Sequence, residues 1–384
     1  MLAWLENGWP QCSELELLML SVMRAQPRLL LCLTVLFPLS ILADRAGFPD
    51  EWLFINAIAA IIPLAMLLSA ATENLAERLG ASIGALLNAL FANATELIIA
   101  LVALRAGLID IVKASITGSV MANLLLALGL SMVVGGIGRR EQTFNPVVAR
   151  VNGTAMTLAV LSILIPSLSG LNRIGFSLEQ EALLPFSGFV AWILLLVYGF
   201  TLVFSLNTHR SLYTSPAQVD VVSESSGGKP RLLPWFIALI LATLAIAYES
   251  ELFVGVVETV THRFGLNDVF TGVILLPLLG GAAEYVTSVS MARRNKMDLS
   301  VSVVLSSTSL IALLVAPVLV LAGPALGHPI DLSFGIYEVV AVGFSVVVCK
   351  LVTADGQSDW LEGVLLLAAY VILASGFFYQ LPSG

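Results

Sequence analysis

The chain has 384 residues, of which 58 % are hydrophobic and only 11 % are charged, and its mean hydropathy is +0.96. Because a soluble domain carries roughly 25 % charged residues, this composition excludes a soluble protein and predicts an integral membrane protein in the lipid bilayer. The net charge of −8 argues against nucleic-acid binding, which needs a basic surface, and the three cysteines lack the CxxC spacing of a thiolate metal site.

Eleven apolar stretches approach the length of about 20 residues that a membrane-spanning helix needs. Residues 1–28 precede them, and because Glu6, Glu14 and Glu16 stand where a signal peptide would be positive, we interpret this segment as a cytoplasmic lead-in. The first span, residues 29–44, is the shortest. The other ten lie at residues 52–72, 81–104, 114–136, 147–170, 183–206, 232–254, 268–291, 299–323, 334–352 and 359–380.

The distribution of basic residues predicts how these spans are oriented. With the N-terminus inside, 13 of the 18 Lys and Arg residues fall in cytoplasmic segments and 5 fall outside, as the positive-inside rule requires. The longest polar interruption, residues 207–231, is rich in Ser, Gly and Pro and is predicted to be a cytoplasmic linker. It separates two five-helix repeats, residues 52–206 and 232–380.

An internal duplication links these two halves. The segment GALLNALFANATELI (84–98) aligns with GVILLPLLGGAAEYV (272–286) at an offset of 188 residues. With five helices in each half, the two copies are expected to have opposite orientations in the membrane. The same offset pairs Gly84 with Gly272, Ala94 with Ala282, Glu96 with Glu284, Asp110 with Asp298 and Ser119 with Ser307.

Two glutamates at equivalent mid-span positions are the main candidates for function. A carboxylate at mid-bilayer costs about 2–3 kcal/mol on insertion scales, so it needs a cation, a proton or a donor network as partner. A lone Glu96 or Glu284 could be a protonated residue that packs against a neighbouring helix. As a pair at matching depths, they would compensate the charge of a divalent cation, and each could take a proton when the cation leaves.

Other oxygen donors accompany the glutamates, and carboxylate, amide and hydroxyl oxygens are the ligands that Ca²⁺ prefers. Asn93 lies one turn before Glu96, Ser119 lies in the fourth span, and Ser307 occupies the matching position in the ninth. Weaker candidates for proton coupling or for an access path are Asn123, on the same helix face as Ser119, and the acidic residues Glu73, Glu249 and Glu251. A solvated helix end is the alternative for these acids.

Two blocks of this sequence resemble the calcium/proton antiporter (CAX) branch of the cation/calcium exchanger superfamily. They are LLNALFANATELIIALVAL (86–104) with the serine block that follows, and ESELFVG (249–255) with FTGVILLPLLGGAAEYVTSVSMARRNKMDLS (270–300). The resemblance implies an all-α exchanger of eleven transmembrane helices, with a detached first helix and two inverted five-helix repeats. It also implies that the ion is bound by Glu96, Glu284, Asn93, Ser119 and Ser307.

The chain departs from this family pattern in the second repeat. The family core reads GNAAEH, whereas residues 280–285 read GGAAEY. Gly281 therefore stands where the family has asparagine, and Tyr285 stands where it has histidine.

The resulting hypothesis is a secondary active transporter, and not an enzyme, which exchanges Ca²⁺ for H⁺ by alternating access and needs no cofactor. It predicts that the site crosses the membrane with one Ca²⁺ or two protons but not empty, because two ionised carboxylates are too costly in a low dielectric. The alternatives are a sodium-coupled or other-cation exchanger, a channel, and a degenerate homologue that does not transport. The short lead-in and linker favour a bacterial inner membrane.

Overall fold

A computed structural model describes residues 27–79, 81–168, 180–208 and 232–380, which are mostly helical. Nearly all of the predicted lead-in and of the predicted cytoplasmic linker lies outside these described residues. The first half contains α1 (Pro27–Arg45), α2 (Asp50–Leu79), α3 (Ala81–Phe91), α4 (Ala94–Arg105), α5 (Ile109–Gly136), a short strand β1 (Gln142–Thr143), α6 (Pro146–Leu168) and α7 (Gln180–Val203).

The second half contains a similar series of elements. It consists of α8 (Leu233–Arg263), α9 (Asp268–Gly280), α10 (Ala282–Arg293), α11 (Met297–Leu326), α12 (Ile336–Val352), a short strand β2 (Gln357–Ser358) and α13 (Trp360–Tyr379).

The predicted multi-pass helical architecture is confirmed. Among the described residues, seven helices are long and apolar enough to cross a membrane: α2, α5, α6, α7, α8, α11 and α13. The bent pair α9–α10 makes an eighth. The remaining predicted spans correspond to the 19-residue α1, to α3 with α4, and to the 17-residue α12, so the number eleven stays a prediction.

Helices α2 and α8 are longer than their apolar stretches. They have 30 and 31 residues, and α2 continues beyond the predicted span through residues 73–79. That segment, ENLAERL, contains no Gly or Pro and consists mostly of strong helix formers. Both helices therefore extend beyond the apolar spans that hydropathy predicts.

Two predicted spans are interrupted at equivalent positions. The third is divided into α3 and α4 by a turn at Ala92 and Asn93, and the eighth bends by 61° between α9 and α10 at Gly281. Both α5 and α11 contain a π-helical turn, at Ala122–Ala127 and Ile311–Val315. This matching order of elements supports the predicted duplication, and the opposite orientation of the copies stays a prediction.

Helices α5 and α11 lie at the centre of the protein. In the most apolar 18-residue stretch of each helix, 78 % of the residues of α5 and 72 % of those of α11 are buried. The corresponding shares are 17 % for α7 and 22 % for α13. A Cβ at Gly118 of α5 would overlap the backbone carbonyl of Val273, so α5 and α9 are in backbone contact. This close approach brings the broken helix α9–α10 against the central helix α5.

Contacts near the helix ends fall into two groups. The first contains the bond from Gln142 Nε2 to Asn295 Oδ1, at 2.9 Å, and the antiparallel pairing of β1 with β2. The second contains the pair of Lys113 Nζ with Asp331 Oδ1, at 2.6 Å, and the ion pair of Arg263 with Glu51. Each group joins segments that the Lys and Arg distribution predicts to lie on the same side of the membrane, and that orientation stays a prediction.

Candidate ion-binding site

The hydroxyl of Ser307 on α11 joins side chains from both halves of the chain. It accepts hydrogen bonds from Asn93 Nδ2 at 2.8 Å and from Asn123 Nδ2 at 3.0 Å. It then donates to Glu284 Oε2 at 2.5 Å. Because a hydroxyl has one donor and two acceptor positions, the hydrogen-bonding capacity of Ser307 is fully used, and the Glu284 carboxyl is held in a fixed direction.

The helix breaks place both predicted carboxylates at helix N-termini. Glu96 lies in the first turn of α4 and Glu284 in the first turn of α10. The positive end of the helix macrodipole favours negative charge at such positions. Asn93 is the N-cap residue of α4, yet its side chain makes no capping bond and instead reaches Ser307. The first break therefore frees an amide side chain for the site.

Two oxygen atoms in this cluster are buried without a hydrogen-bond partner among the described residues: Asn93 Oδ1 and Glu284 Oε1. Nearly all buried polar atoms in proteins have a partner, since an unpaired one costs about 1–3 kcal/mol. An amide oxygen and a carboxylate oxygen of this kind are suitable ligands for a hard cation such as Ca²⁺.

Glu96, the other predicted carboxylate, lies beside Ser119. Both residues line a small cavity, together with Ser115, Ile99, Ala100 and Leu276. A Cβ at Gly280, the last residue of α9, would lie 2.7 Å from Glu96 Cγ, so α9 packs directly on this side chain. Glu96 and Glu284 are close enough for their charges to interact.

The structure therefore brings the five main candidates of the sequence into one region, and it adds Asn123. The sequence places Asn123 among the peripheral candidates, but its bond to Ser307 and its 2 % exposure put it in the centre. The position four residues after Ser119, on the same helix face, was the signal that could have raised its rank.

The weaker acidic candidates do not join this cluster. Glu251 is 58 % exposed and forms an ion pair with Arg105 at 3.3 Å, and Glu73 is exposed on α2. Glu249 is not at a helix end, because α8 continues to Arg263, and it is not solvated, because its side chain is fully buried. Its carboxyl group lies beside Ser40 of α1.

Broken helices that meet at buried carboxylates, in a chain of many apolar helices, are typical of membrane ion transporters. Residues 51–207 and 234–379 match the sodium/calcium exchanger protein family. The chain therefore belongs to that family, which consists of transporters and not enzymes, and the resemblance drawn from its residues is confirmed.

Several relatives of this chain are named Ca(2+)/H(+) antiporter. The chain is 46 % identical to the Ca(2+)/H(+) antiporter of Aphanothece halophytica, over 91 % of this chain and 95 % of the relative. It is 40 % identical to the Ca(2+)/H(+) antiporter ChaA of Bacillus subtilis, over 89 % and 96 % of the two chains.

Solved structures show the same fold. The structure of native YfkE matches with a TM-score of 0.77 and 36 % identity, over 92 % of this chain and all of that one. The H+/Ca2+ exchanger CAX matches with a TM-score of 0.69 over 92 % of each chain, and at 15 % identity this second likeness concerns the fold alone.

Proposed function

We propose that the protein exchanges Ca²⁺ for H⁺ across the membrane, and that Glu96 and Glu284 hold either the cation or protons. The observation that carries this proposal is the Ser307 junction, which leaves Asn93 Oδ1 and Glu284 Oε1 buried and unpaired. The names of the Ca²⁺/H⁺ antiporter relatives support the choice of the two exchanged ions.

In the cation-bound state, the two carboxylates and the Asn93 amide oxygen bind Ca²⁺. The Ser119 hydroxyl and water complete the six to eight oxygen ligands that Ca²⁺ takes. Ser307 fixes the orientation of Glu284 and, through its two amide donors, ties the second repeat to the first. Ligands from both repeats therefore respond together to the arrival of the ion.

When the cation leaves, two ionised carboxylates would repel each other in a poorly solvated site. Protons neutralise them and allow the site to cross the membrane without calcium. Exchange follows from this rule, because the site crosses with one Ca²⁺ or two protons and not empty. We infer that the crossing itself is a rocking of one repeat against the other, as in other transporters built from inverted repeats.

This function is tested with purified protein reconstituted in liposomes. When the inside of the liposomes is more acidic than the outside, protons that leave the liposomes are expected to drive the uptake of ⁴⁵Ca²⁺. Glu96→Gln and Glu284→Gln keep the size of each side chain but remove its charge, so both variants are expected to abolish this exchange. Glu181→Gln, in the exposed first turn of α7, is the matched control and is expected to leave it unchanged.

The alternatives give different results in the same liposomes. Undiminished exchange in both glutamine variants would refute the proposed site. Calcium movement that follows a sodium gradient and ignores the proton gradient would identify a sodium-coupled exchanger. Ion currents without counter-transport would identify a channel, and an inert unmodified protein would identify a homologue that does not transport.

A further inference from the structure

The two helix breaks differ at the residues that face the site. At the repeat offset of 188, Gly281 corresponds to Asn93, and Tyr285 corresponds to Leu97. The first break thus carries an amide that bonds to Ser307, whereas the second carries no side chain at the matching position. Ser119, which corresponds to Ser307, therefore has no equivalent amide donor from residue 281.

The ring of Tyr285 occupies the space beside Gly281. A Cβ at residue 281 would lie 2.6 Å from both Cζ and Oη of Tyr285, which is far closer than a carbon can approach. A side chain at residue 281 would therefore require the ring of Tyr285 to move from its present position. The backbone itself sets no such demand, since the φ of −80° at Gly281 is open to any residue.

The phenol also bridges the helix break. Tyr285 Oη donates to the carbonyl oxygen of Pro277 at 3.0 Å, and the same oxygen accepts the N–H of Gly281 at 2.9 Å. Tyr285 lies in the first turn of α10, directly after Glu284, while Pro277 lies in α9. The bond therefore ties the helix that carries Glu284 to the helix that packs on Glu96.

We propose that Gly281 and Tyr285 together keep an amide ligand out of the second-repeat half of the ion site. This absence of an amide then determines the preference of the site among divalent cations. The amide ligand then comes from the first repeat alone, and water fills the position beside Ser119. Such a site suits cations that keep some of their water, such as Mn²⁺, as well as Ca²⁺. Tyr285 is a positioning residue in this scheme, and the inference rests on the ion site proposed above.

The steric part is tested first, by thermal unfolding of the purified protein. Gly281→Ala is expected to lower the melting temperature in the Tyr285 background, and to do so much less in a Tyr285→Leu background, where the ring is gone. Contacting residues are expected to show this kind of non-additivity. Gly188→Ala is the control, because a Cβ there has no neighbour within 4 Å. Equal losses in both backgrounds would overturn the proposed joint action of Gly281 and Tyr285.

The selectivity part is tested with the double variant Gly281→Asn/Tyr285→Leu, which copies the first-repeat pair into the second repeat. The ratio of the KM for Mn²⁺ to the KM for Ca²⁺ is expected to rise about fivefold, because an added amide oxygen replaces water as a ligand. An unchanged ratio in an active, folded double variant would overturn the proposal.

Tyr285→Phe separates the ring from its hydrogen bond. It keeps the ring over Gly281 but loses the bond to Pro277, so the maximal rate is expected to fall about threefold while the KM ratio stays constant. A changed KM ratio in this variant would contradict the assignment of selectivity to the missing amide. The unfolding experiment needs no transport, so failure of the proposed function would be recognised separately, by full exchange in the Glu96→Gln and Glu284→Gln variants.

Discussion

The break between α3 and α4 and the break between α9 and α10 share a backbone role but differ in their chemistry. Each begins a helix with a glutamate in its first turn. The first break directs Asn93 across to the opposite repeat, whereas the second closes on itself through the bond from Tyr285 to Pro277. A duplicated fold can therefore keep the geometry that holds two carboxylates while its two copies place different side chains beside them.

The same difference appears at the two central serines. Ser307 uses its hydroxyl fully, with two amide donors and one carboxyl acceptor. Ser119 instead lines a cavity beside Glu96. Glu284 is consequently held in one direction by the protein, whereas a small cavity lies beside Glu96. The two sides of the candidate site are thus unequal in their hydrogen bonds and in their side chains.

The largest effect that separates the two sides is expected from the serines. Ser307→Ala removes one hydroxyl from three partners and leaves their buried polar atoms unpaired, so Ca²⁺ transport is expected to fall about 100-fold. Ser119→Ala removes a hydroxyl beside a cavity, and a fall of about fivefold is expected. The measurement is proton-driven ⁴⁵Ca²⁺ uptake in liposomes.

The control for this comparison is Ser306→Ala, because Ser306 is the exposed neighbour of Ser307 on α11. It is expected to leave uptake unchanged. Equal losses for the Ser307 and Ser119 variants would mean that the two sides of the site are equivalent in function, and would contradict the asymmetry inferred from the hydrogen bonds.

A smaller effect on ⁴⁵Ca²⁺ uptake is expected at the residues directly before Asn93 and Gly281, where the two helices break. Gly280 and Ala92 are equivalent at the repeat offset, and Gly280 has a glutamate directly against it, since a Cβ there would lie 2.7 Å from Glu96 Cγ. Gly280→Ala is expected to displace Glu96 and lower uptake about tenfold, as overpacking of a close contact does.

The reverse change at the equivalent position tests whether this effect is specific. Ala92 is exposed, so Ala92→Gly is expected to change ⁴⁵Ca²⁺ uptake less than about twofold, with only the usual entropic cost of glycine. A Gly280→Ala variant that transports normally would show that Glu96 does not need its present position. The melting temperatures of both variants are measured as well, so that a loss of uptake caused by unfolding is recognised.

Much of this site could be predicted from the sequence because its signals are local. The pairing of Glu96 with Glu284 follows from one shared offset, and polar residues at mid-span are rare enough to stand out against apolar helices. The duplication also predicted that Ser119 and Ser307 would lie at matching depths. Those inferences need no knowledge of how the helices pack.

Other features could not be predicted because they depend on packing between distant segments. Asn123 reaches Ser307 across 184 residues of chain, and Glu249 is buried by helices that the sequence does not place around it. The contact between Gly281 and Tyr285 is short in sequence, but it needs the bend between α9 and α10, and apolar periodicity does not predict that bend. Composition predicts that a helix spans the membrane and not where it breaks.

The smallest effects are expected at the surface, where the sequence proposes an access path. Glu251 and Arg105 form an exposed ion pair, with side chains 58 % and 71 % exposed. Exposed pairs of this kind contribute about 0–1 kcal/mol to stability, so neither substitution is expected to unfold the protein. If this pair lies on the path of the cation, its charge instead affects the local concentration of Ca²⁺.

The two substitutions are therefore expected to have opposite signs. Glu251→Gln leaves Arg105 unpaired and repels Ca²⁺, which raises the KM about twofold at low ionic strength, whereas Arg105→Gln leaves the carboxylate and lowers the KM by a similar factor. Both effects should vanish at high salt, because screening removes interactions between exposed charges. If both variants keep the KM of the unmodified protein at low salt, the access path lies elsewhere. The difference between the two repeats would then be confined to the buried site.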